Sequence, residues 1–170
     1  TRVVYVDADP VAVAESMELL DGDSSAIAVR GDLNDPHAIL DHPYVRRLLD
    51  PEQPTGLILA AVLHFVVDDA AAHHAVETLV GALAPGSHLA VSHAAVESFQ
   101  TEQLTIAKNA YRERSTARAR LRSQFGTASF FTGLELLPPG VVWATQWRSD
   151  PDHSSDDLSP CAQLLPVTPG

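Results

Sequence analysis

The sequence predicts an α/β fold: an open, mostly parallel sheet flanked by helices, with a terminal antiparallel hairpin. Three observations carry this prediction. Short β-branched or aromatic runs alternate with helix-length segments over the first ninety or so residues. The helical segments open on acidic residues, twice followed directly by proline. Near the C-terminus a Pro-Pro-Gly turn separates two further apolar runs. Strands joined by helices of this length need crossover connections, which set neighbouring strands parallel.

Val3 to Val6 is a continuous β-branched and aromatic run, the pattern of a strand buried on both faces, and it ends at Asp7. Asp9-Pro10 supplies an N-cap and a proline suited to the first helical turn; Val13, Met17 and Leu20 then recur at helical spacing until Asp21-Gly22-Asp23. Ala26 to Val29 is the second strand, closed by Arg30-Gly31-Asp32. Asp35-Pro36 repeats the cap-plus-proline start of a helical stretch that runs to about Leu49, broken at His42-Pro43. Gly56 to Val62 is the third strand, followed by Leu63-His64-Phe65 and by Asp68-Asp69, an acidic pair suited to a helix N-terminus. Val76, Leu79, Val80 and Leu83 form the stripe of that helix, Pro85-Gly86 ends it, and His88 to Ser92 is the fourth strand. A long helical region is expected from about Glu97 to Gln124, with Leu104, Ala107 and Tyr111 on one face. Leu134 to Leu137 and Val141 to Trp147, on either side of Pro138-Pro139-Gly140, are expected to pair as the antiparallel hairpin. Ser149 to Pro160 is acidic and rich in Ser, Asp and Pro, a loop composition. The expected organisation is one domain over residues 1–148 followed by an acidic loop and C-terminal segment, 149–170.

Composition narrows the class. With 170 residues, 45% hydrophobic and 19% charged, the chain can bury a core and is not disordered as a whole. The longest apolar run, Gly56 to Leu63, is far shorter than the roughly 20 residues of a membrane span, so no membrane partner is expected. The single Cys161 cannot close an internal disulfide, and the eight histidines lack thiol partners for zinc; a cytoplasmic location and no metal are expected. A formal charge of −11 opposes binding to nucleic acid. Within that total, Lys108, Arg112, Arg114, Arg118, Arg120 and Arg122, with Glu113, make a local segment of +5, leaving −16 for the rest. Such an arginine face is either solvated or paired internally by that acidic remainder, or it is a surface for an acidic substrate or a partner protein. Oligomeric state is not legible.

Open parallel sheets bind ligands beyond the carboxyl ends of their strands. The residues there are Asp7, Asp32, the Ala61 to Phe65 turn and His93. A strand-end carboxylate can accept both hydroxyl hydrogens of a ribose, which suits Asp7; its alternative role is to cap the following helix. Asp32 could receive the exocyclic amino group of an adenine, or be an ordinary turn residue. His64 and His93 are the candidate general bases, with a purely structural role as the alternative for each.

The series Val3-Val4-Tyr5-Val6-Asp7-Ala8-Asp9-Pro10, Gly31-Asp32-Leu33, Ala60-Ala61-Val62-Leu63-His64-Phe65 and Leu83-Ala84-Pro85-Gly86-Ser87 resembles the successive motifs of class I S-adenosylmethionine-dependent methyltransferases, which have a Rossmann-like sheet. Phe130-Phe131-Thr132-Gly133-Leu134-Glu135-Leu136-Leu137-Pro138-Pro139-Gly140-Val141-Val142, with Trp147-Arg148, narrows the resemblance to a bacterial S-adenosyl methyltransferase branch formerly catalogued as a domain of unknown function. The resemblance implies S-adenosyl-L-methionine as cofactor. Asp7 with Ala8 would hold its ribose, Asp32 with Leu33 its adenine, and Ala61, Val62 and His64 would pass near the methionine moiety. It also implies a small-molecule methyl acceptor. The family's first, central strand and its glycine-rich loop have no counterpart, since no G-x-G occurs among the nine glycines. The first strand is therefore expected upstream of Thr1. Two other functions fit the same residues: a non-catalytic binding or scaffolding protein that kept the fold, and a nicotinamide dinucleotide oxidoreductase, whose ribose a strand-end Asp also suits. No G-x-S-x-G elbow or P-loop supports a hydrolase or a nucleoside triphosphatase.

Overall fold

The computed structural model describes residues 1–96, 119–147 and 167–168. Its first half is built from two β-α-β units. β1 (Val3–Asp7), α1 (Pro10–Leu19) and β2 (Ala26–Arg30) form the first; β3 (Gly56–Ala60), α4 (Asp69–Gly81) and β4 (His88–Ser92) form the second. Two short helices, α2 (Pro36–Asp41) and α3 (Pro43–Leu48), lie between them. The three acidic starts are N-caps as the sequence suggests: Asp9, Asp35 and Asp68 accept from the amides of Val11, Ala38 and Ala71 at 2.8, 3.1 and 2.8 Å. The break between α2 and α3 falls at His42, whose Nδ1 accepts from the Tyr44 amide at 3.3 Å.

Both strand pairs are parallel. β1 and β2 run in register from Val3↔Ala26 to Asp7↔Arg30, and β3 and β4 from Gly56↔His88 to Ala60↔Ser92. Among the described residues no ladder joins one pair to the other. The core gathers on the second unit: Leu59, Leu63, Val66, Val76, Leu79, Leu89 and Val91 pack with Phe130 and Phe131, from a 3-10 turn that follows α5 (Gln124–Ala128). Alternation on β3 explains this, since Leu57 and Leu59 face inward while Ile58 stays exposed.

Three expectations are corrected. β1 is not buried on both faces: Val3 and Val4 are half-buried, but Tyr5 and Val6 are exposed, because no described element covers that part of the strand. The third strand stops at Ala60 rather than Val62, because Ala61 turns into the left-handed region at φ 52° and leaves the ladder. Val141 to Trp147 is not a strand. The Val141 carbonyl accepts from the Gln124 side chain at 2.7 Å, and Trp143 to Gln146 close a 3-10 turn on themselves, so the groups a ladder would need are engaged elsewhere. The antiparallel pair exists with another partner: β5 (Glu135–Leu136) pairs with β6 (Val167–Thr168). The helical face of Leu104, Ala107 and Tyr111 and the loop from Ser149 to Pro160 lie outside the described residues. No helix among the described residues is long and apolar enough to cross a membrane.

Candidate cofactor and active site

The sheet brings the sequence-predicted residues together in two groups. The first stands at the ends of β1 and β2. The Gly31 amide donates to the Asp7 carbonyl at 2.9 Å, so the Asp7-Ala8 turn and Gly31-Asp32-Leu33 are neighbours. Glycine is required at position 31: a Cβ there would stand 2.7 Å from Val6 Cγ1 and 2.8 Å from Ile39 Cγ1. Asp7 and Asp32 are both exposed. Each spends one oxygen locally: Asp7 Oδ1 accepts from the Asp9 amide at 2.8 Å, while Asp32 Oδ1 accepts from the Asn34 amide at 2.9 Å and from its Nδ2 at 2.8 Å. Asp32 thus makes the turn bond expected of it, whereas Asp7 holds the amide of the N-cap residue Asp9 and is not itself the cap; Oδ2 of each carboxylate has no partner among the described residues.

The second group stands at the ends of β3 and β4. The Ala61 amide is held by the Ser92 hydroxyl at 2.8 Å and the Ser92 carbonyl at 3.1 Å. The turn that follows carries Val62, Leu63 and His64, and His64 is 3% exposed. Its ring lies 4.3 Å from that of Phe65 and meets His93 edge-on at 5.6 Å. Burial first, then the neighbouring His93 and Arg122, lowers the His64 pKa to about 4. His93 is 1% exposed; burial and Arg122 lower its pKa, against the opposing pull of the Ala94 carbonyl. Leu33 packs against the core around Leu59 and Leu63, and so connects the two groups.

Sequence reasoning missed the residue that organises the second group, Arg122. It is 6% exposed, and its guanidinium reaches the Leu63 carbonyl, the Val66 carbonyl, His93 Nε2 and the Asp69 carboxylate. The available signal was the surplus of arginine over nearby acid, which called for distant counter-charges. Asp69 is that counter-charge, since its other oxygen takes Arg120 at 2.6 Å. Of the arginine-rich segment, Arg120 and Arg122 are thus paired internally; Lys108, Arg112, Arg114 and Arg118 lie outside the described residues. A guanidinium only donates, so His93 Nε2, 3.1 Å from Arg122 Nη1, is an acceptor, and the His93 proton sits on Nδ1, 2.8 Å from the Ala94 carbonyl. A buried ring whose lone pair faces an arginine is not a free base.

No group of three or more His, Cys, Asp or Glu among the described residues could hold a metal ion. A concavity of about 210 Å³ lies against α4, lined by His73, Val76, Glu77, Ser129, Phe130 and Thr132, and none of these is a strand-end residue.

A family model described as S-adenosyl methyltransferase matches residues 1–164. The chain belongs to that family. A DUF574 family protein from Streptomyces avermitilis is 33% identical, with a TM-score of 0.87, over 99% of this chain and 65% of its own. A Thermobifida fusca protein, provisionally assigned as a methyltransferase, is 31% identical with a TM-score of 0.82, over 99% of this chain and 63% of its own. This S-adenosyl methyltransferase chain therefore spans just under two thirds of either relative. The N-methyltransferase NodS of Bradyrhizobium japonicum, solved with S-adenosyl-L-homocysteine, is 14% identical with a TM-score of 0.57, over 99% of this chain and 66% of its own, and it shows the shared Rossmann-like fold alone. No curated protein matches the chain significantly. S-adenosyl-L-methionine is the family's cofactor, and exposed carboxylates at two adjacent strand ends, each with an oxygen to spare, have the chemistry to accept its hydroxyl and amino hydrogens.

Proposed function

We propose that the protein transfers a methyl group from S-adenosyl-L-methionine to a small-molecule acceptor. One observation carries this reading: Asp7 and Asp32 stand side by side at the ends of hydrogen-bonded parallel strands, with an acceptor oxygen of each uncommitted. Asp7, with Ala8 beside it, accepts from the ribose hydroxyls, and Asp32 and Leu33 meet the adenine. Ala61, Val62 and His64 bound the methionine side. When bound, the cofactor supplies a methyl group already activated on its sulfonium. The chain's task is then chiefly placement, because in-line alignment supplies much of the rate.

His64 takes the acceptor's proton. Its neutral form is present above about pH 4, and its low basicity limits it to a proton that turns acidic as the new bond to carbon forms. His93 does not share this role and instead holds its neighbours in place.

The experiment is calorimetric titration of S-adenosyl-L-methionine and S-adenosyl-L-homocysteine into the protein and its Asp7→Ala variant. Losing charge-assisted hydrogen bonds to the ribose should weaken affinity by about tenfold or more. No heat and no thermal shift with the wild type would sink the reading and leave the scaffolding alternative.

A further inference from the structure

Arg122 is buried and makes four side-chain hydrogen bonds at once. A guanidinium carries five N–H donors, and four of them make hydrogen bonds here, with an ion-pair contact to Asp69 beside them. Nε reaches Asp69 Oδ1 at 3.1 Å, and Nη2 lies 3.0 Å from the same oxygen and 2.8 Å from the Val66 carbonyl. Nη1 lies 2.9 Å from the Leu63 carbonyl and 3.1 Å from His93 Nε2. The Phe130 ring closes one face, 5.3 Å from Cζ. Buried at 6% exposure and already paired with Asp69, Arg122 is not open to an anionic substrate. Its backbone is equally committed: Ala95 and Arg122 form a parallel bridge, and the Arg122 carbonyl accepts from the Val96 amide at 3.0 Å.

What the guanidinium holds is the turn after β3. It takes the carbonyls of Leu63 and Val66, and the Arg120 amide donates to the carbonyl between them, that of His64, at 2.7 Å. At the other end of the turn Ala61 is fixed by Ser92 in a left-handed conformation that alanine rarely adopts. Three carbonyls and one strained alanine define the path of the stretch assigned above to the methionine side of the cofactor.

We propose that Arg122 is a positioning residue for methyl transfer, fixing His93 as the neutral tautomer protonated on Nδ1 and locking the 61–66 turn against which the cofactor and His64 are placed. The kinetic part rests on the methyltransferase reading; the tautomer does not. Lysine cannot replace Arg122, because three donors from one point cannot reach acceptors spread around a planar fork.

The test begins on the wild-type protein without ligand. Long-range proton–nitrogen NMR correlation of the histidine rings should find His93 protonated on Nδ1, with Nε2 as the bare nitrogen. A proton on Nε2 would overturn the proposal without recourse to any variant. In Arg122→Gln, His93 should lose this single tautomer, and the dissociation constant for S-adenosyl-L-homocysteine should rise by about tenfold or more, the scale of one lost charge-assisted hydrogen bond. Arg122→Lys should behave like the Gln variant, whereas full recovery with lysine would show that only a positive charge is needed and overturn the proposal that the planar fork positions these groups. Variants that retain both the tautomer and the affinity would overturn it as well. If the wild type shows the Nδ1 tautomer but binds no cofactor, the methyltransferase reading fails and the structural assignment of Arg122 stands.

Discussion

Acid should destabilise this fold in part through one identifiable ring. His64 is almost fully buried and keeps its neutral form down to about pH 4, whereas a histidine in the unfolded chain takes up its proton near pH 6.5. Above pH 6.5 both states hold the ring neutral and it makes no pH-dependent contribution. Between 6.5 and 4 the unfolded state binds a proton that the folded state refuses, so stability falls as pH falls. The complete difference is about 3 kcal/mol, of which about 2 kcal/mol is lost by pH 5. Urea denaturation at pH 7.5 and pH 5.0, on the wild type and His64→Gln, reads this contribution, because titrating groups other than the neighbouring His93 act alike in both proteins. The wild type should lose about 2 kcal/mol more than the variant between the two pH values. Equal losses, within about 0.5 kcal/mol, would refute the claim that His64 is held neutral by its surroundings.

Other perturbations test other links. Gly31→Ala would push a Cβ to within 2.8 Å of both Val6 and Ile39; since the atoms met lie close to their own backbones, thermal denaturation should reveal a loss of about 1–3 kcal/mol. Asp69→Ala removes the counter-charge of a buried arginine, whereas Asp41→Ala removes only an exposed partner of Arg46. Unfolding free energies from urea denaturation should fall by under about 1 kcal/mol for Asp41 and by roughly two to three times that for Asp69, discounted because Asp69 is itself half in solvent. Comparable losses at the two positions would mean that Arg122 is not electrostatically dependent on Asp69.

The elements that local chemistry specifies were legible in the sequence. Asp9-Pro10, Asp35-Pro36 and Asp68-Asp69 marked three helix starts, because a cap is a bond between residues two or three positions apart. The strand cores of β1 to β4 were legible from their β-branched runs. The expected hairpin was not, for Val141 to Trp147 looks like a strand by composition, yet its carbonyl partner is the distant Gln124 and the true partner of β5 is β6. Strand pairing is a long-range choice that propensity cannot specify.

The candidate site divides along the same line. Asp7, Asp32 and the turn after β3 could be proposed from sequence because strand-end position is a local property of an α/β pattern. Whether each histidine there is a base or a piece of structure was open, since a side chain's protonation depends on what surrounds it in space. What surrounds His93 became visible only in the tertiary structure: Arg122, twenty-nine residues away, faces its Nε2. The sequence alone determined the order of elements, the caps and the strand-end carboxylates, all written in contacts between near neighbours. Only the folded chain decided where Arg120 and Arg122 go, which strand β5 pairs with and what faces the His93 ring, because burial and charge pairing join residues that the sequence keeps apart.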